Sequence, residues 1–208
     1  MTDFVSITFI IMLAAISPGP DFAMVVKNAL SHDRKSGIVT ALGVSCSLLI
    51  HSTYCLLGLA IIISKSLLLF SIIKYIGAAY LIYIGTKSLL SKRKPTEVTD
   101  NLNKRQSNLL NSFMQGLLCN LLNPKAIMFI LAFFTLFVKP TSSWLMQAGL
   151  CMEIAVIHFI WFSFLSLIIT HQRIKNKLNQ FQYYISKTMG IVLIGFGTRI
   201  ALLGETVS

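Results

Sequence analysis

The run FVSITFIIMLAAISPGPDFAMVVK (residues 4–27) is apolar and long enough to cross a bilayer, and Ser17-Pro18-Gly19-Pro20-Asp21 interrupts it. A span needs about 20 apolar residues. Inside a helix, proline removes a backbone donor and clashes with the carbonyl four residues earlier. Two prolines flanking a glycine therefore break the helix rather than bend it. The freed carbonyls must face protein or a water-filled cavity, because lipid offers them no partner. Asp21 then stands in the first turn of a second half-helix, where the positive end of the helix dipole favours an anion. The fold class follows: an all-α integral membrane protein with at least one broken helix.

Composition points the same way. Of 208 residues, 55% are hydrophobic and 12% charged, about half the usual ~25% of a soluble domain. The mean hydropathy is +0.74. Too few polar side chains are present to cover a water-facing surface, which excludes a soluble enzyme, and the hydrophobicity excludes a disordered chain. Six apolar stretches lie near 4–27, 37–63, 67–90, 112–138, 143–170 and 183–203. They are long and lack the inside/outside alternation of barrel strands, so helices are predicted. Met1-Thr2-Asp3 lacks the positive region of a signal peptide and no A-x-A site follows. The first stretch is therefore read as a retained span.

The net charge of +11 could suggest nucleic acid in a soluble protein, but its distribution is a topology signal. Thirteen Lys and Arg fall in the connections near 27–36, 87–111 and 171–187, against Lys65, Lys74 and Lys139 on the other side. By the positive-inside bias those three connections are cytoplasmic and both termini lie outside. The partner implied is the lipid bilayer, with no nucleic acid. The hydrophilic segment 91–111 divides the chain into a first three-helix repeat (1–90) and a second (112–208), joined by a cytoplasmic basic loop. Three spans are an odd number, so similar halves would insert with opposite topology, the inverted repeat of many secondary transporters.

Internal similarity supports that division. Asn123-Pro124-Lys125 interrupts span 4 as Ser17-Pro18-Gly19-Pro20-Asp21 interrupts span 1, and aligning Pro20 with Pro124 sets Gly19 against Asn123 and Asp21 against Lys125. Asn123 reads as an N-cap followed by proline at the first helical position. Near the ends of spans 3 and 6, LIYIGTK (81–87) matches LIGFGTR (193–199) at Leu, Ile, Gly and Thr. Paired breaks in two halves point to a binding site near the bilayer midplane.

Ionisable side chains inside a membrane are costly and usually face a partner or a cavity. Asp21 and Lys125, opposite in charge just after the two aligned prolines, are expected to lie close together as an ion pair that opens to substrate or proton. A zwitterionic amino acid would satisfy both, its ammonium toward Asp21 and its carboxylate toward Lys125. Glu153, within span 5, is a candidate proton carrier. His51 and His158 also fall within spans, and whether either takes part is left open. Small residues at Gly37, Ala41, Gly43, Gly77, Gly85, Gly190 and Gly197 read as helix packing.

Two other classes remain at this point. A membrane thiol–disulfide electron carrier would need cysteines placed to exchange, but Cys46, Cys55, Cys119 and Cys151 have no CxxC spacing and are not paired with the proline breaks. A divalent-metal exporter would need His and carboxylate groups clustered in the spans, where only Asp21, Glu153, His51 and His158 are available. No metal and no cofactor is implied.

SPGPDFAMV (17–25), GIVTALG (37–43), YIGAAYLIYIGTKSLL (75–90) and LLNPKAIMF (121–129) together resemble the lysine exporter (LysE/RhtB) superfamily, nearest to its homoserine/threonine efflux branch. The likeness runs through nearly the whole chain. It implies a multi-pass exporter in a bacterial inner membrane that moves threonine, homoserine or other neutral amino acids outward by proton antiport, with alternating access. It also implies that Asp21 and the Asn123-Pro124-Lys125 turn belong to the transport site, and that Glu153 matches a span-5 glutamate of threonine-type members. A homodimer is left open, as is the particular amino acid.

Overall fold

A computed structural model describes residues 2–65, 67–90, 108–138 and 142–169, with 183–184, 187–188, 190–195, 197–198 and 201–202. Among the described residues there is no strand. The helices are α1 (Thr2–Ile16), α2 (Pro20–Ser31), α3 (Arg34–Lys65), α4 (Leu67–Leu90), α5 (Leu109–Leu121), α6 (Pro124–Phe137) and α7 (Trp144–Ile168). The described residues between 183 and 202 are helical too. Most of the basic loop at 91–111 and of the 171–187 connection lies outside the described residues, and so do Lys139 and Arg199.

Both helix breaks form where the prolines place them. The chain bends by 57° between α1 and α2 and by 59° between α5 and α6. Gly19 is the extended N-cap residue of α2, with Pro20 at the first helical position and Asp21 in the first turn. Asn123 caps α6, its side chain accepting from the Lys125 backbone N–H at 3.0 Å, with Pro124 at the first helical position. Segments Arg34–Gly58 of α3 and Trp144–Ile168 of α7 are long and apolar enough to cross a membrane alone, and each bent pair adds one more if it forms a single span.

α3 is the central post, packed against α2, α5, α6 and α7, while α4 lies on α6 and α1 on α7. Its polarity runs inside out. Ser36, Thr40, Ser45, Ser47, His51 and Ser52 are buried, whereas Leu42, Ile50 and Leu57 face outward. In water that outer face would be a sticky patch, but against hydrocarbon it is the cheaper one. Two of the inward hydroxyls bond back to the helix itself, Thr40 to the Ser36 carbonyl (2.8 Å) and Ser45 to that of Ala41 (2.9 Å). Asn28 of α2 is also buried and donates to the Thr40 hydroxyl at 2.8 Å, closing the α2–α3 hairpin.

Glycines let the helices approach to backbone contact. On α3 and α5, Gly43 faces the Phe113 carbonyl and Gly116 the Thr40 carbonyl so closely that neither site has room for a Cβ. α4 meets the C-terminal helical segment similarly. A Cβ at Gly85 would lie 2.7 Å from the Gly190 carbonyl oxygen, and one at Gly197 would lie 2.7 Å from that of Ala78. Small residues at these positions therefore serve packing.

The α2–α3 turn is held by Asp33, whose carboxylate accepts from the Ser36 hydroxyl and the Ser36 backbone N–H, both at 2.7 Å. These two bonds, the hydroxyl first, hold the Asp33 carboxyl below its ordinary value of 3.8. A depressed carboxylate stabilises the fold fully above that ordinary value and loses its contribution as pH falls through the depressed one. Asp33→Ala should therefore cost about 1 kcal/mol near neutral pH, and the gap from wild type should close on acidification below about pH 4. Thermal unfolding in detergent across that range checks this; a gap independent of pH would contradict the cap.

Gly116→Ala should force α3 and α5 apart and cost about 1–3 kcal/mol. At Gly149 on α7, where an added Cβ meets nothing within 4 Å, Ala should be neutral or stabilising by up to about 1 kcal/mol. Equal melting temperatures for the two variants would refute the close approach.

Candidate functional site

The two breaks meet, and each holds the other's charge. Asp21, from the start of α2, accepts through Oδ2 from the side-chain amides of Asn120 (2.9 Å) and Asn123 (3.1 Å) at the α5–α6 break. Lys125, from the start of α6, reaches the α1–α2 break, where Nζ donates to the Ser17 hydroxyl (2.9 Å) and the Pro18 carbonyl (3.2 Å). That carbonyl is one that helix breakage leaves without an intrahelical donor, so a cation satisfies it in place of water. The ammonium also packs beside Gly19, 3.6 Å from where a Cβ would stand.

Asp21 and Lys125 line one cleft but do not bond to each other, so the expected direct ion pair is replaced by a crossed arrangement. Two acceptors in it have no donor: Oδ1 of Asp21 and Oδ1 of Asn120 are buried without a hydrogen-bond partner. An unpaired buried acceptor is expensive, so these atoms are suited to an incoming cation. Lys125 has three N–H donors, two of them used, and one remains for an anion. The cleft encloses an empty volume of about 630 Å³ when the open solvent at its mouth is counted. Beyond the charges its walls are largely apolar, from Phe22, Leu48, Leu81, Phe129, Phe162 and Leu193.

Comparison with known proteins gives the family. The family model described as LysE type translocator matches residues 12–204. The chain belongs to that family. Among curated relatives, an uncharacterized membrane protein of Bacillus subtilis, YrhP, is 34% identical over 91% of this chain and 94% of its own. The threonine efflux protein of Salmonella typhi is 30% identical over 96% of this chain and 97% of its own. The protein of the same name from Escherichia coli K12 is 29% identical over the same shares. No solved structure matches.

In this LysE type translocator, Ser17, Pro18, Gly19, Asp21, Asn123, Pro124 and Lys125 come together at the breaks, with Pro20 and Pro124 starting the half-helices. Glu153 does not join them. It lies on the α1–α7 seam, accepting from the Thr8 hydroxyl at 2.6 Å, and is not part of the cleft wall. His51 also stands off the cleft, bonded to Tyr54 and, through Nε2, to the Asn120 carbonyl at 3.1 Å. It braces the segment that presents Asn120. His158 does line the cleft.

Asn120 and His158 are the site residues that charge and proline patterns did not single out. Asn120 ends α5 and Asn123 caps α6 across the bend, so no single-helix periodicity in the sequence joins them. Nothing in the sequence separates His158 from His51. Cys119 is a further correction, because it does lie beside a break, close to Asp21. All four cysteines are free thiols. Among the described residues, no three His, Cys, Asp or Glu side chains are grouped to hold a metal ion.

Proposed function

We propose that this translocator exports threonine, homoserine or other neutral amino acids from the cytoplasm, as a secondary transporter exchanging substrate for protons by alternating access. The observation that carries this reading is the pair of opposite charges in one cleft, each anchored to the opposite helix break and neither neutralised by the other. A free amino acid supplies the complement. Its ammonium meets the donorless oxygens of Asp21 and Asn120, and its carboxylate takes the remaining N–H of Lys125 at the N-terminus of α2, where the helix dipole adds to the attraction. The names of the threonine efflux relatives support the substrate class.

An inverted pair of three-span halves, with both termini outside a bacterial inner membrane, is the architecture this reading assigns. The near-equal bends at the two breaks support it. So do the glycine contacts, since the register that aligns LIYIGTK with LIGFGTR carries Gly85 onto Gly197 and Ala78 onto Gly190. The Gly85–Gly190 contact thereby becomes the Gly197–Ala78 contact, as a two-fold relation requires. Rocking one half against the other would open the cleft to each side in turn.

Coupling needs a group that serves substrate and proton in exclusive states. Asp21 fits: as a carboxylate it receives the ammonium, and as an acid it no longer does, so proton entry from outside expels the substrate. Glu153 of α7 provides a second carboxylate, bonded to Thr8 of the α1 helix that runs into the same break.

Efflux from loaded cells or proteoliposomes, with a panel of neutral amino acids and with and without a pH gradient, tests the reading. Wild type should export at least one of them faster with the gradient. Asp21→Asn and Lys125→Ala should each lower the rate by a factor of about 30 or more, the scale of removing one partner from a buried charged contact, with membrane insertion intact. Normal efflux by both variants would sink the proposal.

A further inference from the structure

The charged end of the cleft accounts for the backbone of an amino acid and leaves its side chain facing largely apolar walls. One buried polar group interrupts them. His158, on α7, is 8% exposed and lines the cleft. Its Nδ1 lies 2.8 Å from the Ile154 carbonyl of its own helix. A carbonyl oxygen only accepts, so Nδ1 carries the proton, and the neutral ring presents Nε2 as a bare acceptor. Among the described residues Nε2 has no partner. The backbone bond fixes the tautomer, and the tilted ring of Phe162, with ring centroids 6.2 Å apart, flanks the imidazole.

Resting on the amino-acid exporter reading above, we infer that His158 is a specificity-determining residue: its Nε2 accepts a hydrogen bond from a hydroxyl on the substrate side chain and selects against the apolar isostere. The physical reason is an asymmetry. A purely apolar pocket distinguishes a hydroxyl from a methyl only weakly, whereas a site holding a buried acceptor penalises the ligand that leaves it unpaired. Tyr80, another polar side chain of the wall outside the breaks, is half-buried. Its hydroxyl both donates and accepts, so it can keep a water partner when the substrate offers none. His158 is buried, and with its tautomer fixed it has one role to fill.

Threonine and valine have nearly the same shape, so the ratio of their initial efflux rates at matched internal concentrations isolates the hydroxyl. Wild type should favour threonine by roughly tenfold or more. His158→Phe keeps a ring beside Phe162 but removes the acceptor, and the ratio should fall toward unity. His158→Gln, whose side-chain carbonyl restores an acceptor, should recover a threonine preference. A ratio unchanged in His158→Phe, a wild type indifferent to the hydroxyl, or loss of all efflux in both variants would overturn the inference while leaving the exporter reading standing. A wild type that exports no amino acid would overturn both.

Discussion

A carbonyl released from a helix inside a bilayer has no water to bond and cannot face lipid. The rest of this molecule is arranged around that constraint. The Pro18 carbonyl, freed at the α1–α2 break, is met by the Lys125 ammonium, and the Asn120 and Asn123 amides at the other break are met by Asp21. Each break thus supplies the partner the other lacks. The bends of 57° and 59° turn both sets of groups inward, and the closure leaves two acceptors and one donor over. A cleft with unspent hydrogen-bonding capacity of both signs suits a zwitterion.

The scaffold makes such an arrangement affordable. α3 holds Ser36, Thr40, Ser45, Ser47 and Ser52 inside and Leu42, Ile50 and Leu57 outside, and its Thr40 and Ser45 hydroxyls bond back to its own carbonyls. Glycine contacts bring backbones together at α3–α5 and between α4 and the C-terminal segment. Association in lipid depends on such packing, because hydrocarbon tails offer the helices no hydrophobic reason to cluster. Close packing of the posts fixes the distance across the cleft more firmly than flexible loops could.

Much of this was legible in the sequence because proline and charge act locally. Pro18, Pro20 and Pro124 determine where helices stop, Asn123 where one starts, and Asp21 and Lys125 are too costly to leave in lipid. What local rules could not supply was the pairing across the site. Asp21 and Lys125 were expected to bond to one another, but each finds a closer partner in the opposite break. Glu153 is singled out by its depth in span 5 and by the family resemblance, and neither tells which face of α7 it occupies; it faces Thr8 of α1. Asn120 and His158 depend on which helix face lines the cleft, and that is set by tertiary packing of six or more segments rather than by the residues' own neighbours. The α4 contact with the C-terminal segment is an intermediate case: the glycine motif is visible in the sequence, while which backbone group each glycine meets is set by packing.

Equilibrium binding of radiolabelled neutral amino acids to the purified protein in detergent decides whether the cleft takes a zwitterion at its two charges. At least one free amino acid should bind saturably and be displaced by other free amino acids, but neither by its N-acetyl derivative, which lacks the ammonium, nor by its methyl ester, which lacks the carboxylate. Displacement by both derivatives as effectively as by the free amino acid, or no saturable binding across the panel, would contradict a site built from Asp21 and Lys125.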